Sequence, residues 1–192
     1  MKSIFLKPGK EESLKRFHPW VFSGAIHHMS EEPEEGEIVS VYTHKNEYIA
    51  TGHFQIGSIM VRVLSFEKEA IDQDFYERKL TIALDVRRRI GIIGNNNNTY
   101  RLVHGEGDNL PGLVIDVYGH TAVMQAHSVG MHKDRKILAS ALKNVMGDEV
   151  HNIFYKSETT LPYKADLGQE NGFLLGNDTE DIAIENGLKF HV

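Results

Sequence analysis

Three carboxylates, Glu106, Asp108 and Asp116, stand close together in the stretch YRLVHGEGDNLPGLVIDVYG, residues 100–119. Residues 100–104 read as a short strand. Gly105 to Asn109 form a turn cluster, because glycine and Asn/Asp supply the backbone angles of a tight reversal. Leu110-Pro111-Gly112 adds a second turn signal, and residues 113–118 are a β-branched, apolar strand holding Asp116. An acidic turn that closes onto a strand with a carboxylate in it would bring the three acids towards one sheet edge. The plainer reading is that Asp108 and Asn109 hold the turn through hydrogen bonds to its backbone. Gly105, Gly107 and Gly112 do not match the dinucleotide pattern GxGxxG, and no helix follows them, so this is not a nucleotide-phosphate loop.

These acids need a scaffold and a counter-charge. Residues 72–90 form the clearest helix, with Asp72 or Asp74 as its cap. Tyr76, Leu80, Ala83 and Leu84 fall on one face, with Phe75, Ile82, Val86 and Ile90 beside them. Arg87 projects from the middle of that apolar side. Such an arginine either snorkels to water or pairs with an acid; Glu106, Asp108 and Asp116 are the candidate partners. Asn95 to Asn98 read as a low-complexity loop. Residues 121–127 pair back through Gly119-His120 as a hairpin. A second helix covers residues 133–146, ended by Gly147, and residues 150–156 form another strand. Residues 161–176 are loop-rich. Residues 181–185 form a strand, Asn186-Gly187 a hairpin turn, and the chain stops inside the strand that follows, so a fragment whose next domain has been cut away is expected.

The first part of the chain has a different texture. Residues 3–7 form a strand ended by Pro8-Gly9, and residues 11–16 a short helical turn. Residues 17–26, FHPWVFSGAI, are aromatic and broken by Pro19, hence irregular with a short strand. The acidic run at residues 31–35 is a solvated loop. Residues 37–43, 48–54 and 59–64 alternate apolar and polar side chains, with a hairpin between the first two, and predict a small β-barrel.

Composition sets the limits. The chain has 192 residues, 41% of them hydrophobic and 25% charged, enough for one large or two small globular domains. It contains no cysteine, which removes disulfides, thiolate metal sites and a cysteine nucleophile from these residues. The 11 histidines show no HExxH and no helical ligand pair, which argues against a metal hydrolase. No secretory leader and no run approaching the ~20 apolar residues of a membrane helix are seen, so a cytoplasmic location without membrane association is expected. The net charge of −6 argues against a chain-wide nucleic-acid footprint. The acidity is concentrated in residues 31–35 and in the tail, leaving room for local basic surface near the start.

With these segments in order, the sequence resembles the S-adenosylmethionine-dependent large-subunit (23S) rRNA methyltransferases of the cytosine-C5 type. HPWVFSGAI at 18–26 is similar to the entry motif of that family's PUA domain. SIMVRVL at 58–64 resembles its last PUA strand, HGEGDNLPGLVIDVYG at 104–119 its middle-domain signature, and ENGLKF at 185–190 the segment before its catalytic domain. The resemblance covers nearly the whole chain. It implies an α+β protein with a PUA-like small β-barrel at 1–70 and a mixed α/β middle domain at 71–192, truncated where the catalytic domain begins. The family's C-terminal Rossmann-like methyltransferase domain would be absent.

The resemblance also implies roles. PUA domains bind RNA, so large-subunit rRNA is the expected partner, with Lys15, Arg16, His18, Trp20 and Arg62 as candidate contacts: cations for phosphates and an aromatic ring for stacking. Lys15 and Arg16 are preferred. Trp20 is equally a candidate for the core, Arg62 for an ion pair, and His18 for a turn cap. Glu106, Asp108, Asp116 and Arg87 would position substrate in the cleft of the complete enzyme. No catalytic residue is expected before Val192, because the cysteine that attacks cytosine C6 and the cofactor loop lie beyond it in such enzymes. S-adenosylmethionine would bind the complete enzyme and not this chain alone; no metal is expected, and a homodimer is left open. Two other readings stand: a free-standing RNA-binding protein without catalysis, and a docking module without RNA affinity.

Overall fold

The computed structural model describes residues 1–161, 167, 171–177 and 182–191. The chain divides into two compact units: Met1–Ile71 with Ser128–Lys133, and Asp72–His127 with Asp134–Val192.

The first unit begins with β1 (Lys2–Leu6) and the single-turn helix α1 (Glu12–Lys15), followed by β2 (Trp20–Phe22) and β3 (Ile26–Met29). β4 (Ile38–Tyr42), β5 (Tyr48–Phe54) and β6 (Ile59–Ser65) complete it. The strands form one sheet in the order β2-β6-β5-β4-β1-β3. β1 and β4 are parallel; every other pair is antiparallel. The small barrel expected from the alternation takes the form of this curled sheet, with β2 and β3 as its edges. Alternate residues turn inward, as the period of two requires. Ile4, Leu6, Val39, Val41, Val61 and Val63 are buried together, with Leu14 of α1 and Phe54. β5 approaches β6 closely at Gly52, where a Cβ would stand 2.2 Å from the Arg62 carbonyl oxygen, so only glycine fits. The sequence reading did not anticipate β3.

The second unit opens with α2 (Gln73–Arg89), whose first turn is capped by Asp72, its Oδ1 accepting the Phe75 N–H at 3.0 Å. Phe75, Tyr76, Leu80, Ala83 and Leu84 are buried. Ile82, Val86 and Ile90, expected beside that face, are instead exposed and form an i, i+4, i+8 stripe towards solvent. β7 (Thr99–His104), β8 (Leu113–Tyr118) and β9 (Thr121–Ala126) follow as antiparallel neighbours. A short helix α3 (Val129–Lys133), not expected from the sequence, belongs with the first unit. There Gln55 accepts the Val129 N–H, and Gly130 lies against the His53 ring. α4 (Arg135–Met146) returns to the second unit, and β10 (Asn152–Tyr155) and β11 (Gly172–Leu175) close its sheet in the order β11-β10-β9-β8-β7. β11 lies within the stretch read as loop-rich. β9 and β10 are parallel, which the intervening helix allows.

α2 packs on α4, and the buried Tyr76 hydroxyl donates to Asp134 just ahead of α4. Burial first, then Asp134, pushes the Tyr76 hydroxyl far above the usual phenol range. The chain ends in the hairpin β12 (Ile182–Glu185) and β13 (Leu188–His191), turned by Asn186 and Gly187, both with positive φ, as the Asn-Gly pair predicts. The asparagine run is more than a loop. Asn98 Oδ1 accepts the Ile184 N–H at 2.6 Å, its N–H donates to the Ile184 carbonyl, and the Asn96 carbonyl accepts the Gly187 N–H. The run therefore fastens the terminal hairpin. Residue 181 and Val192, called as strand from the sequence, lie outside the described residues.

Candidate nucleic-acid interface and the acidic turn

In the first unit, five sequence-predicted contacts gather around α1, β2 and β6. The short helix ends in a Schellman motif: the Phe17 N–H donates to the Leu14 carbonyl at 2.9 Å and the His18 N–H to the Ser13 carbonyl at 3.0 Å. This leaves Lys15, Arg16, Phe17 and His18 all exposed. Lys15 pairs with Glu12 at 2.8 Å, and that hydrogen bond holds its amine above the usual lysine range. Arg16 donates through Nε to the Glu12 carbonyl at 3.3 Å. Among the described residues no carboxylate pairs with Arg16, so its charge is the less neutralised of the two.

His18 takes the turn-capping role. Its Nδ1 accepts the Trp20 N–H at 3.3 Å, which fixes the turn after Pro19. Its ring stands edge-on to Trp20 at 5.6 Å and 6.1 Å from Phe22. Trp20 is half-buried, neither a core residue nor a free platform. Arg62 on β6 sits opposite Trp20 on one side and His53 on the other, and is also half-buried. Lys10, Ser13, Trp20, Phe22 and Gly24 line a cleft of about 290 Å³ beside them. Cations, half-exposed rings and a shallow cleft are groups that track a phosphate backbone and stack a base.

In the second unit the two aspartates take separate arginine partners. Asp108 turns to α2, where Arg87 grips it with both terminal nitrogens, one bond measuring 2.7 Å. Asp108 also accepts the His104 N–H at 2.6 Å, and Arg87 Nε donates to the Arg101 carbonyl at 3.0 Å. One arginine thus ties α2, β7 and the 3₁₀ turn Gly105–Asp108 together. The pair is buried, with side chains 12% and 8% exposed. Asp116 lies opposite Arg101 in the β7–β8 register, and Arg101 grips it at 2.8 and 3.1 Å. That bond raises Arg101 further above the usual range. Glu106 stays at the surface of the turn.

Both aspartates are therefore occupied by guanidinium groups, a geometry suited to fixing a hairpin rather than to moving protons. Asp108 sits in a turn that folds towards α2, while Asp116 sits on a strand whose register meets Arg101. Sequence reasoning found Arg87 and missed Arg101; the signal was its place on a strand that pairs across the turn with Asp116. It also missed His127, just past β9, whose imidazole is pushed below the usual range by burial first and then by the Arg101 charge. On the sheet, Tyr118, Val123, Gln125, Phe154, Lys156 and Phe173 surround an open cleft of about 470 Å³. Among the described residues no three His, Asp or Glu side chains could hold a metal ion, and no helix is long and apolar enough to cross a membrane.

Comparison with known proteins places these features. Residues 4–66 match the model of the PUA-like domain. The chain is 37% identical over 198 residues to the ribosomal RNA large subunit methyltransferase I of Aliivibrio fischeri, aligning 99% of this chain with 48% of that protein. The proteins of the same name from Photobacterium profundum and Vibrio campbellii are 37% and 34% identical, with the same coverage. Among solved structures, a Streptococcus mutans protein assigned as a SAM-dependent methyltransferase superposes with a TM-score of 0.79 at 16% identity, over 99% of this chain and 48% of that one. A second, assigned as a methyltransferase and complexed with SAH, gives 0.79 and 16% over 99% and 47%. The chain thus spans about half the length of the curated relatives it matches, and that half begins with a PUA-like domain.

Proposed function

We propose that this chain is the RNA-holding part of an S-adenosylmethionine-dependent methyltransferase that acts on cytosine C5 of large-subunit rRNA in the cytoplasm. The observation that carries the reading is the coincidence of a PUA-like match over residues 4–66 with relatives named as large-subunit rRNA methyltransferases along 99% of the chain. In this reading Arg16 and Lys15 contact phosphates, and Trp20, His18 and Arg62 line the adjoining RNA surface. Arg87–Asp108 and Arg101–Asp116 fix the hairpin that shapes the substrate cleft of the complete enzyme, with Glu106 at its rim. They position; they do not catalyse.

The chemistry asks for parts these residues do not offer. Cytosine C5 is a poor nucleophile until a thiolate adds at C6, and the chain has no cysteine. S-adenosylmethionine supplies the methyl group and needs a glycine-rich strand-to-helix turn. Here the glycine cluster runs from β7 through a 3₁₀ turn into another strand, so it presents no helix N-terminus. Among the described residues this glycine cluster does not fit that cofactor, and we assign its site and the nucleophile to residues outside this chain.

The test uses the purified chain and the full-length gene product with large-subunit rRNA and radiolabelled S-adenosylmethionine. The expected result is RNA binding by the chain, falling steeply between low and moderate salt, with methyl transfer only by a longer protein. Methylation by the chain alone would overturn the division of labour. Absence of RNA binding at low salt would leave a docking module.

A further inference from the structure

Phe17 is in a place where phenylalanine is rarely found. It occupies the left-handed position of the Schellman motif, with φ at 60°. There the Cβ of an L-residue crowds the backbone, which is why glycine is usual and a bulky side chain is an outlier. The other non-glycine residues with positive φ among those described are Asn46, Asn109 and Asn186. All three are asparagine, the residue that tolerates this conformation best after glycine. The unfavourable backbone at Phe17 is not offset by burial. Phe17 is 72% exposed, and its ring meets Phe66 edge-on at 5.2 Å. Folding alone would be better served by glycine or asparagine.

The immediate neighbours indicate what the ring meets. Lys15 and Arg16 precede it and His18 follows, all exposed. An apolar ring directly after two cationic side chains and beside an imidazole suits a ligand that combines flat apolar faces with anionic links, which describes unpaired nucleotides better than a protein surface. We propose that Phe17 is a base-stacking side chain for single-stranded RNA, held outward by the left-handed turn. This rests on the RNA-binding reading of the first unit and adds to it a residue and a mode of contact.

The experiment measures binding of the full chain to a short single-stranded RNA containing 2-aminopurine, together with Tm, for wild type, Phe17→Gly, Phe17→Asn and Phe17→Trp. The expected result is roughly 5- to 100-fold weaker binding by the Gly and Asn variants. Their Tm should be equal or higher, Phe17→Trp should retain affinity, and 2-aminopurine quenching should be lost only with the ring. If wild type binds and Phe17→Gly binds equally well, the stacking proposal is overturned and the RNA reading stands. If affinity and Tm fall together and Phe17→Trp is equally impaired, Phe17 serves folding and the proposal is again overturned. No binding by wild type removes both, and leaves the exposed ring to a protein partner.

Discussion

The end of α1 and the acidic turn of the second unit use the same residue types and put them to opposite ends. Each brings together arginine, a carboxylate, histidine and a residue with positive φ, the acidic turn drawing its Arg87 from α2. In the acidic turn, the Arg87 and Asp108 side chains are almost wholly buried, and both partners are engaged at two or more atoms. At the end of α1, Lys15 and Glu12 are more than half exposed, and among the described residues Arg16 meets only a carbonyl. A buried charge must be paired or it is strongly unfavourable, whereas an exposed pair contributes little. The acidic turn is thus committed to structure, and the basic turn remains open to a ligand.

Breaking the buried pair should have the largest effect. Asp108→Ala leaves Arg87 uncompensated and removes the acceptor of the His104 N–H; it should destabilise the protein by about 3–5 kcal/mol, read as a lower urea midpoint. Little change there would return Asp108 to a purely positioning role. The contrasting variant is Arg16→Gln, which should leave the urea midpoint unchanged, weaken RNA binding and reduce the slope of log affinity against log salt by about 1. A parallel loss of stability would show that the basic turn is as structural as the acidic one. Asp116→Asn should cost about 0.5–1 kcal/mol, because Arg101 is half exposed and its pair lies across two strands.

The smallest effect concerns pH. The His127 pKa is depressed in the folded chain, so between that value and the unfolded value near 6.5 the unfolded state binds more protons. Stability therefore rises with pH through this window and falls as pH drops below about 6.5. Replacing His127 with Asn should flatten the urea midpoint over that range; an unchanged slope would place the pH dependence elsewhere.

The two regions were unequally legible. Arg87 announced its pairing because an arginine amid an apolar helix face needs an acid, and Asp108 is where the turn delivers one. Strand alternation gave β5 at its observed limits, Tyr48–Phe54, and Asn-Gly gave the final turn. What local pattern cannot carry is partnership across distance. The parallel pairing of β1 with β4, the placement of α3 and the register that joins Arg101 to Asp116 all depend on strands brought together from afar. β3 escaped notice because His27 and His28 interrupt the apolar alternation. The exposed stripe of Ile82, Val86 and Ile90 shows the reverse limit: periodicity marks an apolar face without saying which part of it is covered. The strain at Phe17 left no trace in composition, since only the backbone angle reveals that glycine's place is taken.

The position of β1 has a consequence for how the protein is made and handled. The first residues of the chain form not an edge but an inner strand, between β4 and β3. During synthesis β1 must wait for β4, more than thirty residues later, before its inner neighbour exists, as the pairing of Lys2 with Val39 shows. A start codon used downstream of β1, or a protease cut at Pro8-Gly9, would not trim a tail. It would take a plank from the middle of the floor and leave β3 with nothing to pair with.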